Sequence, residues 1–260
     1  MIKALFFDID GTLVSIDSHR IPQSTVDALK VAHENGVKIF ISTGRPPVIM
    51  DNIRQIQCLD IIDGYVAMNG CYCLVGDETV YADPIPRGEV DEMVRLCDEG
   101  GYSCILVGIN DIATYHPDEA IDRIFYGQLN VRPIESREYD EVDYEIYQIS
   151  PFFGKDVEDR ELYRFPNCEF NRWHPEFADV NAKGNTKQNG IDAVLKYLGM
   201  DKGEIMAFGD GGNDIGMLAM AGIGVAMGNA ADDVKAVADY VTSSVDEDGI
   251  ARALEHFGVI

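Results

Sequence analysis

Four short segments of this sequence combine acidic, hydroxyl, amide and basic side chains that could bind a cation and carry out acid–base or nucleophilic chemistry. Three are compact motifs and the fourth is a single lysine: Asp8-Ile9-Asp10-Gly11-Thr12, Ser42-Thr43-Gly44-Arg45, Gly209-Asp210-Gly211-Gly212-Asn213-Asp214 and Lys187. Each motif alone is also typical of a tight turn or a helix cap, and an isolated lysine is usually a surface residue. Their significance depends on whether the fold brings them together.

The elements around these segments alternate between strand and helix. Apolar runs at 2–7, 37–41, 205–208, 223–227 and 240–242 predict strands, and patterned stretches at 24–35, 187–198, 214–220 and 231–238 predict helices. Nearly continuous apolar strands that alternate with helices are typical of a parallel sheet covered on both faces. We therefore predict an α/β fold with a doubly wound, Rossmann-like sheet. The three motifs follow predicted strands, at the carboxyl ends where such sheets bind ligands.

The first predicted helix carries signals at both of its ends. Ser24 followed by Asp27 resembles a capping box, and Gly36 stands where a helix C-terminus favours a residue with positive φ. We therefore expect this helix to begin near Ser24 and to stop before Gly36.

Carboxylates gathered at one edge of a sheet have an electrostatic consequence. Asp8, Asp10, Asp210 and Asp214 would repel one another there unless a cation lay between them. Mg²⁺ prefers hard oxygen ligands, retains water and completes its coordination with a substrate phosphate. The joint occurrence of the motifs therefore predicts a magnesium site.

The middle of the chain, residues 83–185, differs in pattern from the flanking parts, 1–82 and 186–260. Pro84 and Pro86 lie at its start, and Lys183-Gly184-Asn185 lies at its end. Between them we predict helices and short strands in an α+β arrangement. This insert has 10 Lys and Arg against 23 Asp and Glu, a formal charge of −13, which leaves −11 for the remainder. Acidity is thus spread over both parts, as expected for solvated surfaces.

Composition argues against several classes of protein. The 260 residues include 45 Asp and Glu but 21 Lys and Arg, and the formal net charge of −24 disfavours a nucleic-acid-binding surface. The apolar run at 4–7 is too short for the core of a signal peptide, and no stretch reaches the roughly 20 apolar residues of a spanning helix. Six scattered cysteines without a C-x-x-C pair indicate neither a disulfide scaffold nor a metal site. We expect a cytoplasmic protein whose partners include neither nucleic acid nor membrane.

In their order and spacing, the four segments resemble the motifs of the haloacid dehalogenase (HAD) superfamily. The residues that match are Asp8-x-Asp10-Gly11-Thr12, Thr43 in S-T-G-R, Lys187, and the G-D-G-G-N-D segment that starts at Gly209. The insert is similar to the α+β cap (type C2B) of the Cof-type, class IIB phosphatases. Smaller signatures also match that subgroup: Asn69-Gly70, Gly228-Asn229-Ala230 and Asp248-Gly249-Ile250. The resemblance covers essentially the whole chain and implies a core at 1–82 and 186–260 with a cap domain at 83–185.

The resemblance implies a catalytic role for two carboxylates. Asp8 would be the nucleophile that becomes an aspartyl phosphate. Asp10 would protonate the leaving alcohol and then deprotonate the water that cleaves the intermediate, so Asp8 must start ionised and Asp10 protonated. Four further residues would hold the phosphoryl group or offset its charge: Thr43, Gly44, Lys187 and Asn213.

The resemblance also implies a set of Mg²⁺ ligands. They would be a side-chain oxygen of Asp8, the backbone carbonyl of Asp10, and Asp210, with Asp214 near the ion without binding it. Arg45 follows the second motif and is left open as either a substrate contact or a salt-bridge residue.

The implied activity is that of a Mg²⁺-dependent phosphoric monoester hydrolase that acts on a small phosphorylated metabolite. We expect a sugar phosphate as substrate and a monomer or small homo-oligomer. A phosphomutase resembling phosphomannomutase is an alternative, although the acidic insert is unfavourable for holding a second phosphate. A non-enzymatic phospho-acceptor switch is a third hypothesis, but it requires neither the large insert nor Asp10.

Overall fold

The computed structural model describes residues 1–129 and 131–260, and the backbone but not the side chain of Trp173. The chain divides into two compact units. The first comprises Met1–Arg45, Met50–Ala82 and Thr186–Ile260, and the second comprises Pro46–Ile49 and Asp83–Asn185. Within the described residues, none of the helices has both the length and the apolar character needed to cross a membrane.

Strands occur throughout the described chain. In chain order they are β1 (Ala4–Phe7), β2 (Lys38–Ser42), β3 (Gly64–Ala67), β4 (Tyr72–Val75), β5 (Glu78–Ala82), β6 (Cys104–Val107), β7 (Ile112–Tyr115), β8 (Gln148–Pro151), β9 (Cys168–His174), β10 (Phe177–Ala182), β11 (Ile205–Gly209), β12 (Ile223–Ala226) and β13 (Tyr240–Val241).

The α-helices lie between these strands. They are α1 (Gln23–Glu34), α2 (Arg54–Gln57), α3 (Arg87–Gly100), α4 (Glu119–Ile121), α5 (Lys155–Glu161), α6 (Lys187–Leu198), α7 (Ile215–Met220), α8 (Asp232–Lys235) and α9 (Gly249–His256). A π-helical segment, Asp122–Gln128, continues directly from α4.

The first unit is built on an eight-stranded sheet in the order β13-β12-β11-β1-β2-β3-β4-β5. Its strands are parallel from β13 to β3, and β4 and β5 are added antiparallel at one edge. The predicted doubly wound α/β fold is confirmed. The antiparallel edge arises because only short turns separate β3, β4 and β5, and short turns connect antiparallel neighbours.

Helices cover both faces of this sheet, and that explains the uninterrupted apolar character of β1. Leu5 and Phe7 pack in the cluster that includes α1 and α9, whereas Ala4 and Phe6 pack in the cluster that includes α6 and α7. All four side chains are fully buried. A central strand with both faces covered requires such residues at every position.

The helix α1 differs at its start from the sequence expectation. It follows Pro22, no side chain caps its N-terminus, and the Ser24 hydroxyl donates to Oδ1 of Asp248 at 2.5 Å. The capping-box prediction was therefore wrong, because it rested on local spacing and the partner of Ser24 lies 224 residues away. The C-terminal prediction is confirmed, since the helix ends at Glu34 and Gly36 has φ +82°.

The second unit contains an antiparallel five-stranded sheet in the order β7-β6-β8-β10-β9. The helices α3 and α5 contribute Val90, Cys97 and Val157 to a core shared with Leu106 and Val180 of the sheet. This is the α+β arrangement expected for the insert.

Candidate active site

The first and third motifs follow the carboxyl ends of two neighbouring strands of the parallel sheet. The strands β1 and β11 pair with Phe7 opposite Phe208, so Asp8 and the loop after β11 begin side by side. The hydroxyl of Thr12 donates to Oδ1 of Asp210 at 2.8 Å and connects the two loops. The structure thus brings together two motifs that are about 200 residues apart in the chain.

Three carboxylates form a compact acidic cluster at this edge. Asp8, Asp210 and Asp214 each offer one oxygen, and these oxygens lie within 4.8 Å of one another. Asp8 and Asp214 are buried. Hard carboxylate oxygens at this spacing suit a divalent cation such as Mg²⁺, so the donor set fits the metal that the sequence predicts.

Lys187 supplies the cationic group within this cluster. It is the first residue of α6, whose N-cap Thr186 accepts a hydrogen bond from the Asn189 amide at 3.1 Å. Its Nζ donates to Oδ1 of Asp8 at 2.5 Å and to Oδ1 of Asp214 at 2.6 Å. Burial alone would lower the pKa of Lys187, but the Asp214 and Asp8 carboxylates together raise it above its ordinary value. The side chain therefore carries a positive charge although it is completely buried.

One buried lysine does not balance the charge of the cluster. Burial raises the pKa of Asp8 well above its ordinary value, and the neighbouring Lys187 opposes this shift only in part. Burial likewise raises the pKa of Asp210 to about 6. Both carboxylates are therefore less readily ionised than in water. A bound cation would favour their ionised forms, which supports the fit between this cluster and a metal ion.

Asp214 is held on both oxygens by protein groups. Lys187 bonds its Oδ1, and the amides of Asp210 and Gly211 donate to its Oδ2 at 3.0 and 2.9 Å. These contacts shape the loop after β11 and leave Asp214 few free lone pairs.

Asp10 lies beside the cluster with a side chain that is 47% exposed. Arg45 donates two hydrogen bonds to it, from Nε to Oδ2 at 2.6 Å and from Nη2 to Oδ1 at 2.8 Å. Asn52 approaches Oδ1 at 3.4 Å. A bidentate pair fixes the orientation of a carboxylate as well as its position. The structure thus shows the salt bridge, one of the two roles that the sequence left open for Arg45.

The second motif lies on the other side of β1, at the end of β2. The amide of Thr43 donates to the carbonyl of Val66 at 2.9 Å, and its hydroxyl accepts from the Arg45 amide at 3.1 Å. Thr43 is buried, and Gly44 packs beside Asn69, with 3.4 Å between the Asn69 amide and the position of a Cβ on Gly44. The loop is therefore held rigidly by its backbone.

Asn213 reaches toward the second motif from the loop after β11. Its Nδ2 donates to Oδ1 of Asn69 at 3.0 Å, which brings it near Gly44. Asn213 itself lies at the surface. All of the residues predicted for the site lie within the first unit.

Two asparagines at the site received no role from the sequence. Asn69 bonds Asn213, and Asn229 donates from Nδ2 to the Gly11 carbonyl at 2.8 Å and to Oδ2 of Asp210 at 3.2 Å. Oδ1 of Asn229 accepts from the Val245 amide at 3.1 Å. Both residues belong to the smaller signatures noted in the sequence, which singled them out but assigned them no function.

The family follows from comparison with known proteins. A family model described as haloacid dehalogenase-like hydrolase matches residues 5–254. The chain belongs to this family.

Similar proteins include both curated relatives and solved structures. A Bacillus subtilis protein named as a phosphatase, YkrA, is 33% identical over 99% of this chain and 98% of its own length. The B. subtilis enzyme 5-amino-6-(5-phospho-D-ribitylamino)uracil phosphatase YcsE is 29% identical over 98% of this chain and 96% of its own. The solved structure of the HAD subclass IIB sugar phosphatase BT4131 is 51% identical, with a TM-score of 0.90, and the match covers 99% of this chain and 100% of that one.

The protein is therefore a HAD-family phosphatase, an enzyme that hydrolyses phosphoric monoesters. Its architecture is that of the class IIB members, with a parallel-sheet core and a cap domain. HAD phosphatases generally use a divalent metal ion, and the cluster of Asp8, Asp210 and Asp214 suits one.

Gly11 is expected to be required for the position of Asp210. It has φ +87°, and a Cβ on it would lie 2.2 Å from Oδ2 of Asp210. Gly11→Ala should therefore displace that carboxylate and lower phosphatase activity by about 10- to 100-fold. The matched control is Gly36→Ala, because Gly36 has a similar φ of +82° and nothing lies within 4 Å of its Cβ position.

Both alanine variants should lose about 1 kcal/mol of stability from the strain of a left-handed residue, and Gly11→Ala should lose more because of its clash with Asp210. Thermal unfolding separates this shared loss from the activity loss that only Gly11→Ala should show. Equal activities of the two variants would contradict the proposed clash with Asp210.

Proposed function

We propose that this phosphatase hydrolyses a small sugar phosphate with Mg²⁺, through an aspartyl phosphate formed on Asp8. The observation that carries the proposal is the buried ammonium group of Lys187 between Asp8 and Asp214, with Asp210 close by. This arrangement holds a carboxylate nucleophile in a buried site that needs further positive charge. A phosphate monoester together with a cation fits that need.

In the first half of the proposed reaction, Asp8 attacks phosphorus and the bond to the leaving oxygen breaks. Lys187 holds Oδ1 of Asp8, and among the described residues no hydrogen bond reaches its Oδ2, which is the free nucleophilic oxygen. Asp10 gives its proton to the leaving alcohol, for which its bidentate pair with Arg45 would first have to open so that the carboxyl group can be protonated. In the second half, water attacks the aspartyl phosphate, Asp10 takes its proton, and Asp8 and inorganic phosphate are released.

The phosphoryl group would be held by the second motif and the loop after β11. We propose that the Thr43 hydroxyl, the Gly44 amide and Asn213 donate to its oxygens, and that Lys187 offsets its charge. These donors would be pre-positioned by the backbone contacts of Thr43 and by the bond between Asn213 and Asn69.

The proposed Mg²⁺ ligands are a side-chain oxygen of Asp8, the backbone carbonyl of Asp10, and Asp210. When bound, the ion supplies positive charge that offsets the carboxylates and the phosphate dianion. Thr12 and Asn229 would hold the Asp210 carboxylate in place through their hydrogen bonds to its two oxygens. Asp214 would orient Lys187 and the Asp210 backbone.

The substrate class is supported by the similar proteins and by charge. BT4131 is named as a sugar phosphatase, and YcsE is named for a substrate with a phosphorylated ribityl group. We propose that residues 83–185 act as the cap that selects the substrate. The formal charge of this segment, −13, favours a neutral polyhydroxyl group over a second phosphate there.

Hydrolysis and isomerisation can be distinguished with sugar 1-phosphates. We expect glucose 1-phosphate or mannose 1-phosphate to give free sugar and inorganic phosphate in equal amounts when Mg²⁺ is present. Product analysis by chromatography, with a phosphate-release assay, provides the measurement. Formation of the 6-phosphate without free phosphate would favour the phosphomutase. Stable phosphorylation of Asp8 without turnover would favour the phospho-acceptor switch.

Thr12→Val tests the proposed metal ligand Asp210 through its hydrogen-bond partner. Thr12 is fully buried and valine keeps its shape, so the main loss is the 2.8 Å hydrogen bond to Asp210. The Mg²⁺ concentration for half-maximal activity should rise about 10-fold, and activity should recover at high Mg²⁺.

Calorimetric titration with Mg²⁺ should show the same weakening without any substrate. Thr25→Val, at a buried threonine of α1 outside the site, is the matched control. An unchanged Mg²⁺ affinity in Thr12→Val would contradict the assignment of Asp210 as a ligand.

A further inference from the structure

The turn after β3 contains three consecutive residues with left-handed backbone. Met68 has φ +49°, Asn69 has φ +54° and Gly70 has φ +94°. Glycine adopts this conformation freely, but for two adjacent residues with side chains it is unfavourable. Such strain persists where surrounding structure enforces it, and it is concentrated at functional sites.

Contacts to two parts of the active site enforce this conformation. The amide of Asn69 donates to the Thr43 carbonyl at 3.0 Å, and the amide of Met68 donates to the Arg45 carbonyl at 3.3 Å. A Cβ on Gly70 would lie 2.2 Å from the carbonyl oxygen of Thr186, the residue before Lys187. The turn is therefore packed between the second motif and the start of α6.

The side chain of Asn69 lies between two of the proposed phosphate-binding residues. It is 7% exposed, and its Oδ1 accepts the hydrogen bond from Nδ2 of Asn213 at 3.0 Å. Its amide group also packs against Gly44. Asparagine tolerates left-handed backbone better than most residues with a side chain, so one residue type meets both the backbone and the hydrogen-bonding requirement.

We propose that Asn69 is a positioning residue of the phosphatase reaction, which fixes Asn213 beside Gly44 before the substrate binds. This inference rests on the proposed function of Asn213 and Gly44. The strained turn fixes the side-chain carboxamide of Asn69. Its Oδ1 in turn holds Nδ2 of Asn213, whose side chain otherwise lies exposed on a loop. Pre-positioned donors act on the transition state, so the effect should fall on kcat more than on KM.

Asn69→Gly separates the side chain from the backbone requirement. Glycine adopts the left-handed conformation without strain, so the turn should persist and the thermal midpoint should not fall. We expect kcat for p-nitrophenyl phosphate with Mg²⁺ to fall about 10-fold, with a smaller change in KM. Asp60→Gly is the matched control, because Asp60 also has a left-handed φ, +55°, but is exposed and outside the site.

A double-mutant cycle with Asn213→Ala tests whether Asn69 acts through Asn213. If it does, adding Asn69→Gly to Asn213→Ala should lower kcat by less than about 2-fold further, because the shared interaction is already lost. Independent, multiplicative losses would overturn the positioning role. Wild-type kcat in Asn69→Gly would overturn it as well.

Binding of inorganic phosphate, measured by calorimetry with Mg²⁺ present, separates this inference from the proposed function. Asn69→Gly and Asn213→Ala should each weaken phosphate binding several-fold, and their combination little more than either alone. If the wild-type chain is active and Asn69→Gly has the same kcat and the same phosphate affinity as wild type, only the role of Asn69 is refuted. Absence of Mg²⁺-dependent turnover in the wild-type chain would refute the proposed function, and phosphate binding would still test Asn69.

Discussion

Asp8→Asn is expected to lower phosphate release by roughly 10³-fold or more while the protein remains folded. An amide nitrogen and oxygen cannot replace the carboxylate that attacks phosphorus, so no aspartyl phosphate can form. Stability should change little. With both carboxylates ionised, Asp8, Asp214 and Lys187 together carry a charge of −1, and the substitution would leave a neutral buried pair of Lys187 and Asp214.

Turnover of p-nitrophenyl phosphate at saturating Mg²⁺ measures the first part of this expectation, and thermal unfolding measures the second. Asp17→Asn, an exposed position in the loop after β1, is the matched control and should retain full activity. Undiminished turnover in Asp8→Asn would refute Asp8 as the nucleophile. Loss of activity together with loss of the folding transition would mean that Asp8 is chiefly structural.

Lys187→Met is expected to damage both stability and activity. The side chain of Lys187 is completely buried, and its removal leaves Asp8 and Asp214 without their counter-charge. Removal of one partner from a buried ion pair costs about 3–5 kcal/mol of unfolding free energy. We also expect at least a roughly 100-fold loss of turnover, because the ammonium group no longer offsets the charge of nucleophile and phosphate.

Chemical denaturation and phosphate release measure these two losses. Lys196→Met is the matched control, since Lys196 lies in the last turn of the same helix and is exposed. The double variant Asp8→Asn with Lys187→Met should be more stable than Lys187→Met alone, because it leaves one buried carboxylate instead of two. If Lys187→Met alone is as stable as wild type, the inference that Lys187 offsets the charge of the buried carboxylates is wrong.

Much of the fold could be predicted from local sequence patterns. The run of apolar residues in β1 predicted a strand buried on both faces, and Phe6 and Phe7 indeed pack in different cores. The helix at 187–198 was predicted with the bounds that the structure shows for α6. These features depend on neighbouring residues, so periodicity and composition were sufficient to find them.

Contacts between distant segments could not be predicted from local sequence patterns. The spacing of Ser24 and Asp27 suggested a local cap, whereas Ser24 bonds Asp248. The left-handed turn at Met68 and Asn69 has no local signal apart from the Asn-Gly pair, because the hydrogen bonds that enforce it go to Thr43 and Arg45 in the loop after β2. Tertiary contacts override local preference at such positions.

The candidate site shows the same division. Residue types and spacing alone indicate which side chains are chemically able to act, because carboxylates, a lysine and a threonine lie near the ends of predicted strands and match a family of phosphatases. The partners of these side chains are visible only in the folded chain: Lys187 with Asp8 and Asp214, Arg45 with Asp10, and Asn69 with Asn213. Residue type sets the available chemistry, but distances, burial and charge balance arise only when the strand ends meet at one edge of the sheet.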